Sequence, residues 1–429
     1  MALLLKNAHV VDPTSGLDGV LDVLVTGDRI EQVGEGLSAP DAETVDLSGK
    51  YLVPGLVDIH VHLREPGYEH KSTIETETRA AARGGFTAVC SMPNTDPVCD
   101  NGSVVEYVKA RAAEAGHCRV YPAGAMTKGL KGEIISEMGD MVEHGAVAFT
   151  DDGRGVQDAG MMRRCMDYGA MFGKTFMSHC QDEGLVGEGQ VNEGVASTRL
   201  GLLGWPAEGE ELQIQRDIML AELTGARFHV QHISTARGLD MVRAAKKRGL
   251  PVTCEATPHH MFLCEDDITD AYETCFKVNP PLRTREDAQA IVEGVADGTV
   301  DAIVTDHAPH ADWEKAREFE LAPFGMIGLE TSLALVLTNL VATGRITYAR
   351  MVELMSVKPR EILGVELVSV SAGSVADLTV FDPEAEWTVG DEPFESKASN
   401  SAFLGTRLKG RATDVLVGGS FTLRDGMVR

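Results

Sequence analysis

The sequence PGLVDIHVHLREP, at residues 54–66, alternates apolar with polar residues and contains two histidines. This period-two pattern is typical of a β-strand, in which successive side chains point to opposite faces. His60 and His62 should therefore project from the same face. Neutral imidazole is a good ligand for zinc and related ions. The stretch predicts a strand that presents two metal ligands, and a polar-faced strand with two incidental histidines is the alternative.

Apolar segments of strand length recur after this stretch, and segments of helical pattern separate most of them. The predicted strands are residues 56–62, 86–91, 119–123, 146–150, 175–179, 227–232, 251–256 and 300–305. The predicted helices are residues 72–83, 102–115, 157–171, 209–223, 235–248 and 284–297. Continuous apolar strands that alternate with helices indicate a parallel sheet. Eight of them predict an α/β fold of the (β/α)8 TIM-barrel type.

The two ends of the chain have a different pattern. Residues 2–53 consist of short strands with turns, and a similar pattern returns at residues 373–429, after a helical stretch at residues 328–363. The opening segment is too short for a β-domain of its own. We therefore predict a small β-sandwich domain built from residues 1–53 and 365–429, beside a catalytic barrel at residues 54–364.

The composition indicates a soluble globular protein, with 43% hydrophobic and 24% charged residues in a chain of 429. The net charge of -26 argues against nucleic-acid binding, which needs a basic surface. The N-terminal sequence shows no signal peptide, and no apolar stretch reaches the roughly 18 residues of a membrane span. The eight cysteines contain no CxxC pair. They are predicted to be reduced core residues of a cytoplasmic protein.

Side chains of the type that bind metals follow several predicted strands. In a parallel barrel, functional groups lie at the carboxyl ends of the strands. The residues in question are His60, His62, an aspartate at 151 or 152, His179, His232 and Asp306. Two metal ions about 3.5–4 Å apart can share a hydroxide, which is a nucleophile near neutral pH. A carboxylate can bridge such ions, but strand alternation does not decide between Asp151 and Asp152.

Several motifs together resemble the dihydroorotases of the bacterial class I type, within the amidohydrolase superfamily. They are HVHLREPG, MPNT, TDDG, SHC, QHIST, KVNPPLR, TDHAPH and APFGMIGLET, and the resemblance covers the whole chain. It implies the reversible interconversion of L-dihydroorotate and N-carbamoyl-L-aspartate in pyrimidine biosynthesis. It also implies two zinc ions per subunit, a homo-oligomer and an enzyme that can associate with aspartate carbamoyltransferase.

The resemblance also assigns roles to individual residues. The metal ligands it implies are His60, His62, Asp152, His179, His232 and Asp306. The substrate contacts it implies are His62, Arg64, Asn94, Asn279, His310 and the backbone around Phe324 and Gly325. We predict that Asp306 is the general acid and base, since a carboxylate can take a proton from the attacking oxygen and deliver it to the departing nitrogen.

The chemistry of the implied substrate contacts agrees with these roles. Arg64 has a planar fork of donors suited to the substrate carboxylate. Asn94 and His310 can add a neutral and a charged donor to the same group. The amide of Asn279 can pair with the ureido edge. His229, His259, His260 and His307 are interpreted as packing or supporting residues rather than ligands.

Two alternatives remain. Hydantoinases and allantoinases act on similar rings, but they typically bridge their metals with a carbamylated lysine on the fourth strand, where this chain has AVAFTDDG. A non-catalytic partner of a carbamoyltransferase would have lost ligands, whereas all six positions are filled here. Residues 311–325 are predicted to form either a mobile loop over the pocket or a surface helix.

Overall fold

The computed structural model describes residues 2–429, so that Met1, the first residue of the predicted N-terminal segment, lies outside them. The strands are β1 Ala2–Asp12, β2 Leu17–Thr26, β3 Arg29–Gly34, β4 Glu43–Asp46, β5 Tyr51–Pro54, β6 Leu56–Val61, β7 Phe86–Ser91, β8 Arg119–Gly124, β9 Ala148–Phe149, β10 Thr175–Ser178, β11 Val191–Asn192, β12 Gly204–Trp205, β13 Arg227–Val230, β14 Val252–Ala256, β15 Ala302–Ile303, β16 Leu378–Thr388, β17 Arg407–Val417, β18 Ser420–Arg424 and β19 Met427–Val428.

The α-helices are α1 Ile74–Gly84, α2 Gly102–Ala115, α3 Met138–His144, α4 Ala159–Gly169, α5 Glu183–Val186, α6 Val195–Leu200, α7 Ala207–Thr224, α8 Ala236–Lys247, α9 Pro258–Phe262, α10 Arg285–Asp297, α11 Asp312–Lys315, α12 Leu329–Val336, α13 Tyr348–Val352 and α14 Lys358–Leu363. The helical stretch predicted at residues 328–363 is thus divided among α12, α13 and α14. Two π-helical segments, Leu337–Val341 and Glu353–Val357, lie between them. None of these helices is long and apolar enough to cross a membrane.

Polar side chains fix the ends of several helices that surround the barrel. Thr73 caps α1 and accepts a hydrogen bond from Thr76 N, and Asn101 caps α2 in the same way. Gly85 and Gly116 end these helices with φ of 95° and 73° respectively, the left-handed conformation that favours glycine. The capping side chain and the terminal glycine thus define where each of these two helices begins and ends.

Eight parallel strands form the predicted TIM-type barrel, which is thereby confirmed. Their order is β15-β14-β13-β10-β9-β8-β7-β6. The two ends of this path meet where Val61 pairs with His307, and His62 N donates to His307 O at 2.9 Å. The buried carboxylate of Asp58 reinforces the junction, since it accepts from His60 N and from Thr305 N, each at 3.0 Å. The first and last barrel strands are therefore fixed against each other beside the candidate site.

The pairing of β6 with β7 shifts register between Asp58 and Val61, which pair with Val89 and Ser91. An advance of three residues along β6 therefore corresponds to two residues along β7, as in a β-bulge. Such bulges are common at barrel rims next to active sites. The simple alternation expected from the sequence is therefore interrupted within the stretch that carries His60. Both histidines nevertheless lie at the carboxyl end of the strand.

The remaining strands of the two chain ends form one nine-stranded sheet. Its order is β19-β18-β17-β16-β5-β1-β2-β3, and β4 pairs with β1. The two ends join where β5 and β16 pair antiparallel, with Val53 opposite Thr379. This confirms that the terminal segments build a common β-structure, while the domain boundaries at residues 53/54 and 364/365 stay a prediction.

Between β16 and β17 the chain leaves this sheet for residues 389–406, which we name the rim segment. It runs to the mouth of the barrel and contacts two of its loops. Lys397 Nζ donates to Glu69 O at 2.7 Å, and Ser399 Oγ donates to Asp312 Oδ1 at 3.0 Å. The sequence pattern gave no indication of this contact between the terminal sheet and the barrel rim.

Candidate metal centre and substrate pocket

The six predicted metal ligands lie together at the carboxyl ends of the barrel strands, and all are buried. His60 Nε2 lies 3.3 Å from Asp152 Oδ1, and His62 Nε2 lies 3.1 Å from Asp306 Oδ1. His179 Nδ1 lies 3.8 Å from Asp152 Oδ1. Two groups of three have ligand atoms within 4.8 Å of one another, namely His60 with Asp152 and His232, and His60 with His62 and Asp306.

Several of these ligand atoms have no hydrogen-bond partner. His60 Nε2, Asp152 Oδ1 and His232 Nδ1 are all buried and unpaired. Buried polar atoms in proteins normally have a partner, and each exception needs an explanation. A cation between these atoms would satisfy all three. The donor set of imidazoles and carboxylates fits zinc or a similar divalent ion.

The charges around the cluster also favour a cation. Burial acts to raise the pKa of Asp152, but His60, His62 and His179 outweigh it and hold that pKa well below its ordinary value. Burial lowers the pKa of His179 and, more strongly, that of His232. Asp152 is therefore ionised, and His179 and His232 are neutral, which are the protonation states that bind a metal. Burial acts to lower the pKa of His60, but Glu255, Asp152 and Asp306 raise it well above its ordinary value, so that a metal bound there would displace a proton.

Glu255 on β14 supports the cluster from below, and sequence reasoning did not identify it. Its Oε1 lies 2.6 Å from His60 Nδ1 and accepts from His232 N at 3.2 Å, while Oε2 lies 2.9 Å from His229 Nε2. A hydrogen bond from Nδ1–H of His60 to Glu255 leaves Nε2 free to bind a metal. The only signal in the sequence is an acidic residue within the strand VTCEA, which is otherwise uncharged.

The two neighbouring aspartates at the end of the fourth strand have different surroundings. Asp151 accepts from Met126 N at 2.7 Å, from Thr127 N at 3.0 Å and from the Thr127 hydroxyl. Asp152 lies among the histidines, and Asn94 Nδ2 donates to its Oδ2 at 3.2 Å. Asp151 therefore holds the loop after β8, and only Asp152 of the pair is placed to bind a metal.

Three of the site residues have positive φ angles, which are uncommon in residues other than glycine. They are Arg64 at 64°, His232 at 30° and Asp306 at 47°. Such conformations cost free energy and cluster at functional sites. They turn the chain sharply where each strand ends, so that the side-chain direction there cannot be read from strand alternation.

An open pocket of about 640 Å³ lies above the cluster. Its lining contains the predicted substrate contacts and all the predicted ligands except His60, namely His62, Arg64, Asn94, Asp152, Gly153, His179, His232, Asn279, Asp306, Ala308, His310, Phe324 and Gly325. No lysine lines this pocket within residues 2–429. A bridging carbamylated lysine therefore has no candidate here.

Arg64 and His310 form one side of the pocket. Arg64 Nε donates to Pro309 O at 3.2 Å, and His310 Nε2–H donates to Phe324 O at 2.8 Å. Burial lowers the pKa of His310, and the positive charges of Arg64, Lys71 and Lys315 lower it further. The imidazole is therefore neutral, and the expectation of a charged donor at His310 is corrected. Arg64 is the charged group of this side.

Asn279 and Gln181 form the opposite side, next to His179. Asn279 Nδ2 donates to Gln181 Oε1 at 2.8 Å, while Asn279 Oδ1 is buried without a partner. Gln181 Oε1 also lies 3.0 Å from His179 Nε2, so that Nδ1 of that ring is the atom left for a metal. Gln181 was missed in the sequence, although it follows the SHC motif directly.

Three of the other buried histidines, His229, His260 and His307, make hydrogen bonds of the supporting kind interpreted from the sequence. His307 Nε2 lies 2.6 Å from Glu77 Oε2, and its Nδ1 accepts from Gly328 N at 3.1 Å. His260 Nε2 donates to Pro280 O at 2.9 Å. These contacts join α1 to the loops after β15 and hold the loop that carries Asn279.

Two buried lysines hold residues 311–325, which contain the short helix α11 followed by irregular structure. Lys277 Nζ donates to Phe319 O at 2.7 Å and to Glu320 O at 3.0 Å. Lys315 Nζ donates to Pro323 O at 2.9 Å and to Gly325 O at 3.0 Å. The segment is thus partly helical, and its predicted mobility stays a prediction.

Comparison with known proteins identifies the family. A family model described as Dihydro-orotase-like matches residues 49–238. The chain is 49% identical over 429 residues to a dihydroorotase of Pelotomaculum thermopropionicum, with all of both chains covered. It is 48% identical over 426 residues to one of Anaeromyxobacter sp. strain K, with 99% of this chain and 98% of that one covered.

A solved structure extends the likeness to the fold. An L-hydantoinase (dihydropyrimidinase) from Arthrobacter aurescens superimposes with a TM-score of 0.89 at 26% identity, covering 100% of this chain and 97% of that one. The chain belongs to the dihydroorotase family and is a metal-dependent cyclic amidohydrolase.

Proposed function

We propose that this chain catalyses the reversible interconversion of L-dihydroorotate and N-carbamoyl-L-aspartate, a step of pyrimidine biosynthesis. The observation that carries the proposal is a cluster of metal-binding side chains that contains Asp152 and lies below a pocket to which Arg64 contributes a positive charge. Relatives that are 47–49% identical over nearly their whole length and are named dihydroorotase support it. The aspartate at the end of the fourth strand also favours this activity over that of a hydantoinase.

Zinc is the metal that we propose, with two ions per subunit. The residues that would hold them are His60, His62, Asp152, His179, His232 and Asp306, with Asp152 as the bridge. When bound, the ions would polarise the ring carbonyl and lower the pKa of a water molecule enough for it to attack near neutral pH.

Asp306 is placed to move the proton of the reaction. It lies beside His62 at the floor of the pocket, where its carboxylate can reach both the metal ligands and a bound ring. In hydrolysis, the water oxygen bonds to the ring carbonyl carbon and the bond from that carbon to nitrogen breaks. Asp306 takes the proton from the water and delivers it to the nitrogen, and the reverse transfer closes the ring.

Arg64 and Asn279 orient the substrate from opposite sides. The guanidinium of Arg64 can form two parallel hydrogen bonds to the α-carboxylate that both substrate forms carry. The unpaired Oδ1 of Asn279 is an acceptor for an N–H of the ureido edge. The second N–H of Asn94 Nδ2 can donate to the same carboxylate, and the neutral imidazole of His310 lies beside Arg64 on this side of the pocket.

We expect Arg64→Lys to weaken transition-state binding by roughly 2–4 kcal/mol, because a point charge does not reproduce a planar fork. The measurement is kcat/KM for dihydroorotate, with zinc content determined on the same sample. Arg163→Lys is the matched control, since Arg163 is exposed and pairs only with Asp167 on α4. Unchanged kinetics of Arg64→Lys would show that Arg64 does not bind the carboxylate.

A turnover comparison tests the proposed function. We expect dihydroorotate to be hydrolysed far faster than hydantoin or allantoin by zinc-loaded protein. Faster turnover of hydantoin would favour the hydantoinase alternative. Hydantoin is included because the chain is similar in structure to an L-hydantoinase. Full zinc content with no turnover of any ring would favour a non-catalytic partner of a carbamoyltransferase.

We also propose the setting of the enzyme. It acts in the cytoplasm on a small-molecule substrate, as a homo-oligomer that can associate with aspartate carbamoyltransferase. Eight free cysteines, seven of them buried, support a reducing compartment. Light scattering of the purified protein, alone and mixed with the carbamoyltransferase of the same organism, tests the two assembly proposals.

A further inference from the structure

The rim segment brings Asn400, a residue of neither the barrel nor the terminal strands, to the mouth of the pocket. Asn400 is buried, with 8% of its surface exposed. Its Oδ1 accepts from His310 N at 3.2 Å. Its Nδ2 donates to Ala308 O and to Gly325 O, each at 3.1 Å. One side chain therefore uses its acceptor and both its donors on the barrel rim.

These three contacts join two of the backbone segments that carry predicted substrate contacts. One segment is residues 308–310, which ends in His310, and the other contains Phe324 and Gly325. The segments also contact each other directly, since Ala308 N donates to Met326 O at 2.9 Å. Asn400 is the only side chain of the rim segment, within the described chain, that bonds to both segments.

The packing between the two segments leaves little freedom. Gly325 has φ of 125°, and a Cβ built on it would lie 2.6 Å from Ala308 Cβ and 3.2 Å from His310 Nε2. The backbone of one segment is thus in close contact with the side chains of the other. Loss of the bonds from Asn400 would leave His310 N and Ala308 O unpaired, whereas Gly325 O would keep its bond from Lys315 Nζ. The segments would then separate so that the unpaired groups reach water.

We infer that Asn400 is a positioning residue that sets the affinity for substrate by holding His310 and Gly325 against each other. This inference rests on the proposed function, because it assigns these two residues to substrate binding. If Asn400 has this role, part of the substrate specificity of the barrel depends on the rim segment. None of the hydrogen bonds of the Asn400 side chain goes to a predicted metal ligand.

The first test compares Asn400→Ala with Ser399→Ala. Ser399 is the adjacent exposed residue, and its hydroxyl bonds only to Asp312. We expect Asn400→Ala to raise KM for dihydroorotate about tenfold or more, while kcat and zinc content change little. Ser399→Ala should leave both constants unchanged. An unchanged KM in Asn400→Ala would overturn the inference. It would also be overturned if kcat fell by the same factor as KM rose and the protein had lost zinc.

The second test is a double-mutant cycle on KM between Asn400→Ala and His310→Ala. If Asn400 acts through His310, its replacement should matter less once the imidazole is absent, so that the two effects are less than additive. Fully additive effects would mean that Asn400 does not position His310. A residue that affected only overall stability would leave KM unchanged both in the unaltered chain and in the His310→Ala variant, so this measurement distinguishes positioning from a purely structural role.

Asn400→Asp provides a variant of nearly the same shape in case the alanine variant does not fold. The aspartate keeps an acceptor for His310 N but loses both donors to the carbonyls. We expect KM to rise as in the alanine variant, and a normal KM would contradict the inference. If the unaltered chain does not hydrolyse dihydroorotate, the proposed function is wrong. If the unaltered chain hydrolyses it and both Asn400 variants have the same KM as that chain, only this inference is wrong.

Discussion

Asp306→Asn should keep the fold and the bound metal but lose turnover of dihydroorotate by a factor of at least about 100. The amide oxygen can still coordinate a metal, but the amide group cannot carry a proton between the water and the ring nitrogen. Asp306 lies 3.1 Å from His62 and 3.5 Å from His60, so a side chain of the same shape should keep these contacts.

The measurement is kcat with zinc content and the melting temperature of the same preparation. Asp266→Asn is the matched control, because Asp266 is an exposed aspartate far along the chain from any predicted ligand. It should behave as the unaltered protein in all three measurements. Turnover near the normal rate in Asp306→Asn, with full zinc content, would remove Asp306 from proton transfer and leave it as a ligand alone.

The second large effect concerns the bridge. Asp152→Ala should lose most of its bound zinc and its activity, whereas Asp151→Ala should keep zinc and lose mainly stability. The carboxylate oxygens of Asp152 lie 3.3–3.8 Å from ring nitrogens of three histidines, His60, His62 and His179. Asp151 bonds instead to the backbone at residues 126–127, and its removal leaves those amides unpaired.

Zinc content and melting temperature, measured for both variants, separate the two roles. If Asp151→Ala were the variant without metal, the bridge would move by one residue. Reconstitution of the metal-free protein adds an independent check. Activity should return equally with and without bicarbonate, because a carboxylate bridge needs no carbon dioxide. A requirement for bicarbonate would mean that Asp152 does not form the bridge.

The residues that could be identified from the sequence are those whose position is fixed by the barrel itself. A parallel barrel directs the ends of its strands to one rim, so that histidines and aspartates at those ends converge whatever the loops do. His60, His179 and His232, which come from three strands far apart in the chain, illustrate this. The substrate contacts, in contrast, were predicted from the family resemblance and not from this argument.

The residues that could not be identified depend on contacts that no local pattern encodes. Glu255 looks like any acidic residue in a strand until its partners, His60 and His229, are known. The lowered pKa of His310, and hence its neutral state, follows from its burial and from three cations that tertiary structure brings to it. Asn400 reaches the pocket because a long connection leaves the terminal sheet, and its sequence, KASNS, has no periodicity to predict it.

The joining of the two chain ends in one sheet has a consequence for biosynthesis. On the ribosome, β1 to β5 emerge first, but the free edge of β5 finds its neighbour only when Thr379 of β16 has been made. Contacts so distant in sequence are slow to form, and unpaired edges invite aggregation in the meantime. A nascent chain that stalls after the barrel would therefore be a target for chaperones, because it carries an incomplete sheet at its start.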